Sequence, residues 1–371
     1  MRRLLQRRGS RSGRVPVVSG SPAELFAFAD GTYTRTGAAM RWNGTSIDQW
    51  AEDVLRDLGG GWAAFEPSYT NLAIYNDVLN SWSAVGGATV NSNVSDAPNG
   101  DSGTVDQVNG AGSASDRIEL TYGPADNQPV AVRCLYRDDS GTDQFRIQLV
   151  ANDGATADTG DTKIAGPNWA SAELKANTLS GGGTARHRIR MTAVAGGVLV
   201  WGYTLTLLGW VPFGIILTSA GSSASQGADD LQYASGAGLP SWFTSGAAWQ
   251  VKVKSDMSSA EMVAAGVGRA IVAFTGDKYL GFIVDSGAIK VQVYDGTTTV
   301  TTGAITFSAN QEITITVAPD DGDLTVAGAT TGNGTTDGSA FSFPDSTTCR
   351  IGALVGGTNA WAGQIKEPTE V

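Results

Sequence analysis

Histidine is almost absent from this 371-residue chain: His187 is the only one, and it stands between Arg186 and Arg188. Imidazole is the usual base and metal ligand near neutral pH, so a single copy removes paired-histidine metal sites and most base-assisted nucleophile schemes. The flanking cations disfavour its protonation, and a structural imidazole at a surface or a sheet edge is the expected role. Cysteine is nearly as scarce. Cys134 and Cys349 lie far apart with no CxxC spacing, which argues against a disulfide scaffold and a cysteine zinc site. Charged residues make up only 16% of the chain, a poor composition for long helices. The GxSxG, HExxH, P-loop and dinucleotide patterns are missing, and Gly181–Gly183 lacks the lysine and helix of a phosphate loop.

Two apolar features are also weaker than they first look. The basic start has the charge of a signal-peptide n-region, but no apolar stretch of about 7–15 residues follows it. Val15-Pro-Val-Val18 is short and holds a proline, so no signal peptide is expected. From Ala193 to Gly227 there is no charged residue, and Val198–Leu217 is long enough to span a bilayer. Leu199, Trp201, Tyr203, Leu205 and Leu207 nevertheless alternate with their neighbours, and Pro212 divides the run. Period two predicts two buried strands and no membrane insertion.

What the chain has in quantity is glycine, 49 residues, with many Thr, Ser, Asn and Val, the makings of short strands joined by turns. Strand patterning covers Asp116–Tyr122, Val130–Arg137, Gln144–Val150, Ala185–Thr192 and Val198–Leu207 in one block. A second block holds Gln250–Lys254, Ala270–Thr275, Leu280–Val284, Ile289–Tyr294, Glu312–Val317 and Arg350–Leu354, with hairpin turns at Asp285-Ser-Gly287 and Asp295-Gly296. An all-β fold is expected: two antiparallel sandwiches of jelly-roll or lectin-like type, residues 71–236 and 237–371, jointed at the Gly/Ala stretch 234–238. A small piece at 25–70 precedes them. Its Ser46–Leu58 segment has Ile47, Trp50, Val54, Leu55 and Leu58 at helical spacing, a Ser46/Gln49 capping box and a Gly59–Gly61 stop, and predicts a helix whose apolar face is core or a subunit contact.

Residues 1–24 form a basic arm. Arg2, Arg3, Arg7, Arg8, Arg11 and Arg14 precede the first acid, Glu24, while the whole chain carries a net charge of −11. The body is thus acidic, which argues against nucleic-acid binding by the folded part. The arm itself is compatible with nucleic acid, an acidic protein surface or plain solvation.

Three motifs carry a family likeness. GTYTRTGAAMRWNG (Gly31–Gly44), FEPSYTNLAIYND (Phe65–Asp77) with Trp82, and PFGIILTSAGSSASQGADD (Pro212–Asp230) resemble the opening and closing elements of tailed-phage tail-fibre and head-fibre proteins. Residues Ser241–Val371 resemble concanavalin A/laminin-G-like sandwiches in strand rhythm and in the ending Trp361-Ala-Gly-Gln-Ile365. The resemblance implies a virion appendage subunit: the arginine arm anchored to capsid or tail proteins, the chain assembled as a homo-oligomer, and the sandwiches meeting host surface polysaccharide. A capsid decoration or head/tail adaptor protein without glycan binding is the second reading, and a capsule depolymerase the third.

For sugar contact the ten tryptophans matter, because sugar C–H faces stack on flat aromatics. Trp169, beside Pro167 and Asn168 in a loop, is the leading candidate, followed by Trp242, Trp249 and Trp361, with sandwich core as the competing role of each. Hydrolysis would need two carboxyls. Asp138-Asp139, Asp229-Asp230 and Asp320-Asp321 are adjacent pairs in turn contexts, where solvated acids are expected. No catalytic residue, metal site or cofactor is therefore assigned. Calcium stays open through Asn152, Asp153, Asp158 and Asp161, or Asp320, Asp321 and Asp323, at spacings that match no EF-hand.

Overall fold

In the strand Trp249–Ser255 every second residue is buried and the intervening ones are half-exposed. Ala288–Tyr294 and Glu312–Ala318 repeat that rhythm, each sending valine and isoleucine to one face. Such faces are stable only when closed on one another, and two pairs of sheets do so. A computed structural model describes the chain except residues 1–31, 36–38, 51–54, 59, 75, 77, 114, 123–128, 139–142, 151–156, 178–184, 192–196, 208–213, 219–220, 227, 234–238, 240, 275–277, 337, 344–347 and 353–359. The arginine arm lies outside the described residues.

The first sandwich is a jelly roll. Eight strands run in order from Val105–Asn109 through Arg117–Tyr122, Pro129–Arg137, Gln144–Val150, Ala157–Thr159, Ala170–Asn177 and Ala185–Met191 to Gly197–Thr206. Successive strands mostly change sheets: the sixth, third, eighth and first pair in one sheet, the fifth, fourth, seventh and second in the other. Thr89–Ser95 and Ser83–Val85 extend the two edges, and all pairings are antiparallel. Val132, Cys134, Phe145, Ile147 and Val200 fill the core. Each such side chain contributes about 1.5–3 kcal/mol on burial.

The second sandwich has two seven-stranded antiparallel sheets. One runs Thr32–Thr34, Asp230–Tyr233, Cys349–Ile351, Arg269–Phe274, Lys278–Asp285, Ala288–Tyr294, Thr299–Thr301. The other runs Gly334–Thr336, Asp323–Ala327, Glu312–Ala318, Trp249–Ser255, Gly363–Glu370, Trp62–Phe65, Arg56–Asp57. Strands at 32–34, 56–57, 62–65 and 230–233 thus belong to the C-terminal sandwich. The expected self-contained piece at 25–70 and the boundary at 236/237 give way to interleaving: the jelly roll is inserted between strands of the second sandwich. Sheet pairing at long range carries no local sequence mark, which is why the division looked sequential.

The helix expected at Ser46–Leu58 is instead a hairpin, Ala39–Trp42 paired with Ile47–Trp50, followed by the strand Arg56–Asp57. Asn43-Gly44 decides it: Gly44 takes φ +100°, and Asn43 Oδ1 accepts the Thr45 and Ser46 backbone N–H groups at 2.9 Å each. Ile47 and Trp50 are buried, so they are not a subunit surface. The hairpin contributes to a third apolar cluster, on the outer side of the jelly-roll sheet, with Leu135, Leu199, Trp201 and Ile215. Gly197–Thr206 is in consequence buried on both faces along its whole length, which explains its apolar composition. No described helix is long and apolar enough to cross a membrane. The longest described helix, Ser259–Ala265, starts at a reciprocal Ser258/Glu261 capping box and stops at Gly266, φ 63°.

Candidate functional site

The tryptophans singled out for sugar stacking are divided by the structure. Trp249 and Trp361 are 0% exposed, the former packed on Phe243 with ring centres 4.7 Å apart, the latter edge-on to Phe282 at 5.3 Å. Both are core, because their strand and loop positions face the opposing sheet. Trp242 is half-buried against Phe243 at 5.7 Å. Trp169 is half-buried too, and the Arg137 guanidinium lies 5.2 Å from its ring centre. Cys134 and Cys349 are free and buried; burial pushes the Cys134 thiol up to about 12 and raises Cys349 as well. His187 lies on a strand paired on both sides, so it is not at a sheet edge. Among the described residues no three of His, Cys, Asp and Glu gather where a metal ion would sit. Asn152 and Asp153 lie outside the described residues.

Asp229, expected to be a solvated turn acid, is the centre of a buried ion cluster. Its carboxylate accepts from the Tyr33 hydroxyl, from Arg56 Nη2 and, at 2.7 Å, from the Glu66 backbone N–H, with Arg35 Nη1 at 3.5 Å. Arg56 Nη1 reaches Glu66 Oε2 at 2.6 Å. The side chains of Arg35, Arg56, Glu66 and Asp229 are all 0% exposed. Burial acts to lower the Arg56 guanidinium, but Asp229 and Glu66 outweigh it and hold it well above its ordinary value. Burial, reinforced by Asp229, likewise raises the Tyr33 hydroxyl. Glu66 Oε1 also accepts the Gly214 N–H at 2.9 Å, and a Cβ at 214 would stand 2.5 Å from the Tyr69 hydroxyl, so only glycine fits. Arg133 of the jelly roll donates to the Gly214 carbonyl at 2.9 Å, which ties the cluster to both sandwiches.

A second lock lies beside it. Asn71 Nδ2 and Asn76 Nδ2 both donate to the carbonyls of Tyr203 and Ile216 at 2.7–3.1 Å. Asn76 Oδ1 accepts the Thr218 N–H at 2.5 Å. Trp82 Nε1 donates to the Ile74 carbonyl at 3.2 Å, and its ring meets Tyr203 edge-on at 5.0 Å. The three motifs of the sequence therefore meet in space as one polar frame. These acids and amides are enclosed and mutually satisfied, which suits positioning and leaves no carboxyl of the cluster open to a substrate.

Solvent-accessible chemistry lies next to this frame, in an open groove of about 560 Å³ lined by Arg41, Asn43, Thr45, Asp48, Trp50, Leu58 and Gln364. Arg41 and Asp48 are directly opposed across the hairpin, and Asn43 Nδ2 donates to Asp48 Oδ1 at 3.0 Å. Burial, then the nearby Arg56, lower the Arg41 guanidinium from its ordinary value. The groove offers a guanidinium, the Gln364 amide, a hydroxyl and one carboxylate, with Trp50 and Leu58 as apolar wall, while the Asn43 amide is committed to its own turn. That set can hold hydroxyl-rich ligands by hydrogen bonds, while the lining supplies one of the two carboxyls that glycoside hydrolysis uses. None of the groove residues was singled out by the sequence as a binding group; the Asn-Gly turn was the available signal.

No family model matches the chain, and no curated protein matches it. Solved structures similar to it include the CBM22-1–CBM22-2 tandem of Paenibacillus barcinonensis Xyn10C, at 12% identity and TM-score 0.32 over 83% of this chain and 98% of that one. The single CBM22-1 xylan-binding domain of the same protein aligns at 15% identity and TM-score 0.30, over 38% of this chain and 95% of its own. The C-terminal CBM6 of LamC from Zobellia galactanivorans aligns at 11% and 0.25, over 38% and 98%. At these scores the likeness carries nothing about what this chain binds.

Proposed function

We propose that the chain is a non-catalytic subunit of a surface appendage on a tailed-phage-type particle, holding host-envelope polysaccharide weakly. The observation that carries the binding part is the open groove of amide, hydroxyl and guanidinium groups beside a buried, polar-locked frame. The particle part rests on the sequence resemblance. Its residues Tyr33, Arg35, Glu66, Asn71, Asn76, Gly214, Thr218 and Asp229 work together in one buried frame, a physical reason for finding the three motifs in one chain. In this reading Arg2, Arg3, Arg7, Arg8, Arg11 and Arg14 anchor the chain to acidic capsid or tail proteins, since arginine suits bidentate carboxylate contact. Several copies associate, and multivalency raises weak sugar binding by about 10²–10⁴.

The test is incubation of the purified protein with host capsule or lipopolysaccharide, followed by sizing of the polymer. Retention with unchanged polymer length is expected. Progressive shortening, abolished by Asp48→Asn, would turn the protein into a depolymerase. Normal incorporation into particles with no polysaccharide retention would leave a decoration or adaptor protein.

A further inference from the structure

The sheet face that borders the groove carries charge opposite to that of the chain as a whole. Trp62, Lys366, Lys252 and Thr314 are directly opposed in one cross-strand row. Gln364, Lys254 and Glu312 form the next. The residues between them, Val251, Val253, Ile313, Ile315 and Ile365, are buried, so these rows face outward. The side chains of Lys252 and Lys254 are 39% and 25% exposed, and Glu312 stands between them at 3.3 and 3.8 Å. Lys366 directly opposes Lys252, a like-charge pairing that weakens a sheet; Glu312 answers Lys252, whereas no ion pair among the described residues answers Lys366. Lys254 Nζ lies 4.3 Å from the centre of the Trp62 ring. Gln364 belongs both to this face and to the groove wall, so Arg41 joins the three lysines on one continuous surface. Against them stand Glu312 and Asp48, in a chain whose net charge is −11.

We propose, resting on the polysaccharide reading above, that this surface selects anionic polysaccharide whose sugar rings bear carboxylates. Lys252, Lys254, Lys366 and Arg41 meet the carboxylates, and Thr45 and Gln364 meet ring hydroxyls. An anion seated between Lys252 and Lys366 relieves their mutual repulsion, a gain that a neutral polymer cannot supply. The Gln364 amide and the Thr45 hydroxyl beside the cations read hydroxyls and favour a sugar polymer over other polyanions. Because these charges are exposed, the attraction is screened as salt rises.

The experiment measures retention of the full chain on polygalacturonate, on its carboxyl-reduced neutral counterpart, and on a single-stranded oligonucleotide. Retention on the polyacid alone, weakening with salt, is expected. The double variant Lys252→Gln/Lys366→Gln should bind it roughly tenfold more weakly while melting no lower than the parent, since a like-charge opposition is removed. Glu312→Gln, which releases two lysines, should bind it more tightly. Equal retention on the acid and neutral polymers would overturn the anionic selectivity and leave the polysaccharide reading standing. No retention on either would overturn both. Tighter binding to the oligonucleotide, or self-association abolished by the lysine substitutions, would replace the occupant with nucleic acid or with a second copy.

Discussion

Asp229 and Glu66, 163 positions apart, hold one another through both backbones: the Asp229 N–H donates to the Glu66 carbonyl at 2.9 Å, and the Glu66 N–H donates to Asp229 Oδ2 at 2.7 Å. Two carboxylates brought this close need a cation, and Arg56 bridges both. The pairing joins the segment that ends the strand Trp62–Phe65 to the one that begins Asp230–Tyr233, the two points where the chain leaves and re-enters the second sandwich.

Arg56→Met removes the cation that bridges Glu66 and Asp229 and leaves their charges buried. The expected loss is about 3–5 kcal/mol, read as a lower urea midpoint at unchanged slope. Lys163→Met is the control. Its partner Asp161 lies 3.6 Å away with a side chain 91% exposed, and the expected cost is below about 1 kcal/mol. Equal effects from the two substitutions would mean that the cluster is not enclosed in solution.

Asn76→Ala should strip a donor from the Tyr203 and Ile216 carbonyls and an acceptor from the Thr218 N–H. Both carbonyls keep Asn71 as a donor, so the cost falls on the buried Thr218 N–H left unsatisfied, about 1–3 kcal/mol. Amide exchange should quicken at Thr218, the group that loses its acceptor, while the distant strand Glu312–Ala318 keeps its protection. Uniform loss of protection in both sandwiches would instead show that they unfold as one unit.

The all-β architecture was legible because alternation survives in Gln144–Val150 or Glu312–Ala318 without reference to partners, and the Ser286–Gly287 turn, φ 53° and 76°, matches its Asp-Ser-Gly signal. Ser46–Leu58 misled because a capping box and helical spacing coexist there with an Asn-Gly hairpin turn, and tertiary pairing chose the turn. Ser259–Ala265, a helix not expected from the sequence, carries an equally good box at Ser258/Glu261 with a glycine stop, and there the local signal won. The ion cluster was illegible for a different reason. Arg56 reaches Asp229 across 173 positions, and no local periodicity marks such a partner. Aromatic type alone likewise cannot separate Trp361 in the core from Trp62 on the cationic face.

Trp361→Ala tests that separation. Removing a fully buried indole should cost about 3–5 kcal/mol, visible as a drop in melting temperature. At temperatures where the variant is folded, polysaccharide retention should match the parent. Lost retention with unchanged melting would return Trp361 to a binding role.

Asp256 supplies a pH-dependent prediction. It follows the strand Trp249–Ser255, and its N–H donates to the Ala362 carbonyl at 3.0 Å, yet neither of its buried carboxylate oxygens accepts a hydrogen bond from the described residues. Glu66 faces it as a like charge, while Arg41, Arg56 and Lys175 act on it as cations. Arg269 is also near, but its Nη1 is directed to the Ala360 carbonyl at 3.0 Å. Burial first, and Glu66 second, hold the Asp256 carboxyl well above its ordinary value. A folded-state value raised above the unfolded one, about 3.9 for aspartate, means that the folded protein binds the extra proton. The associated stability is fully present below about pH 4 and is lost as pH rises through the folded value. Asp256→Asn should therefore be more stable than the parent at neutral pH, and the two should converge as pH falls toward 4. Burial pushes the Arg269 guanidinium down to about 10, still above this range, so the difference in urea unfolding between parent and variant from pH 4 to 8 follows the Asp256 carboxyl. An Asn variant less stable than the parent at pH 7 would show instead that Asp256 is ionised and that Arg269 or Arg41 turns to meet it.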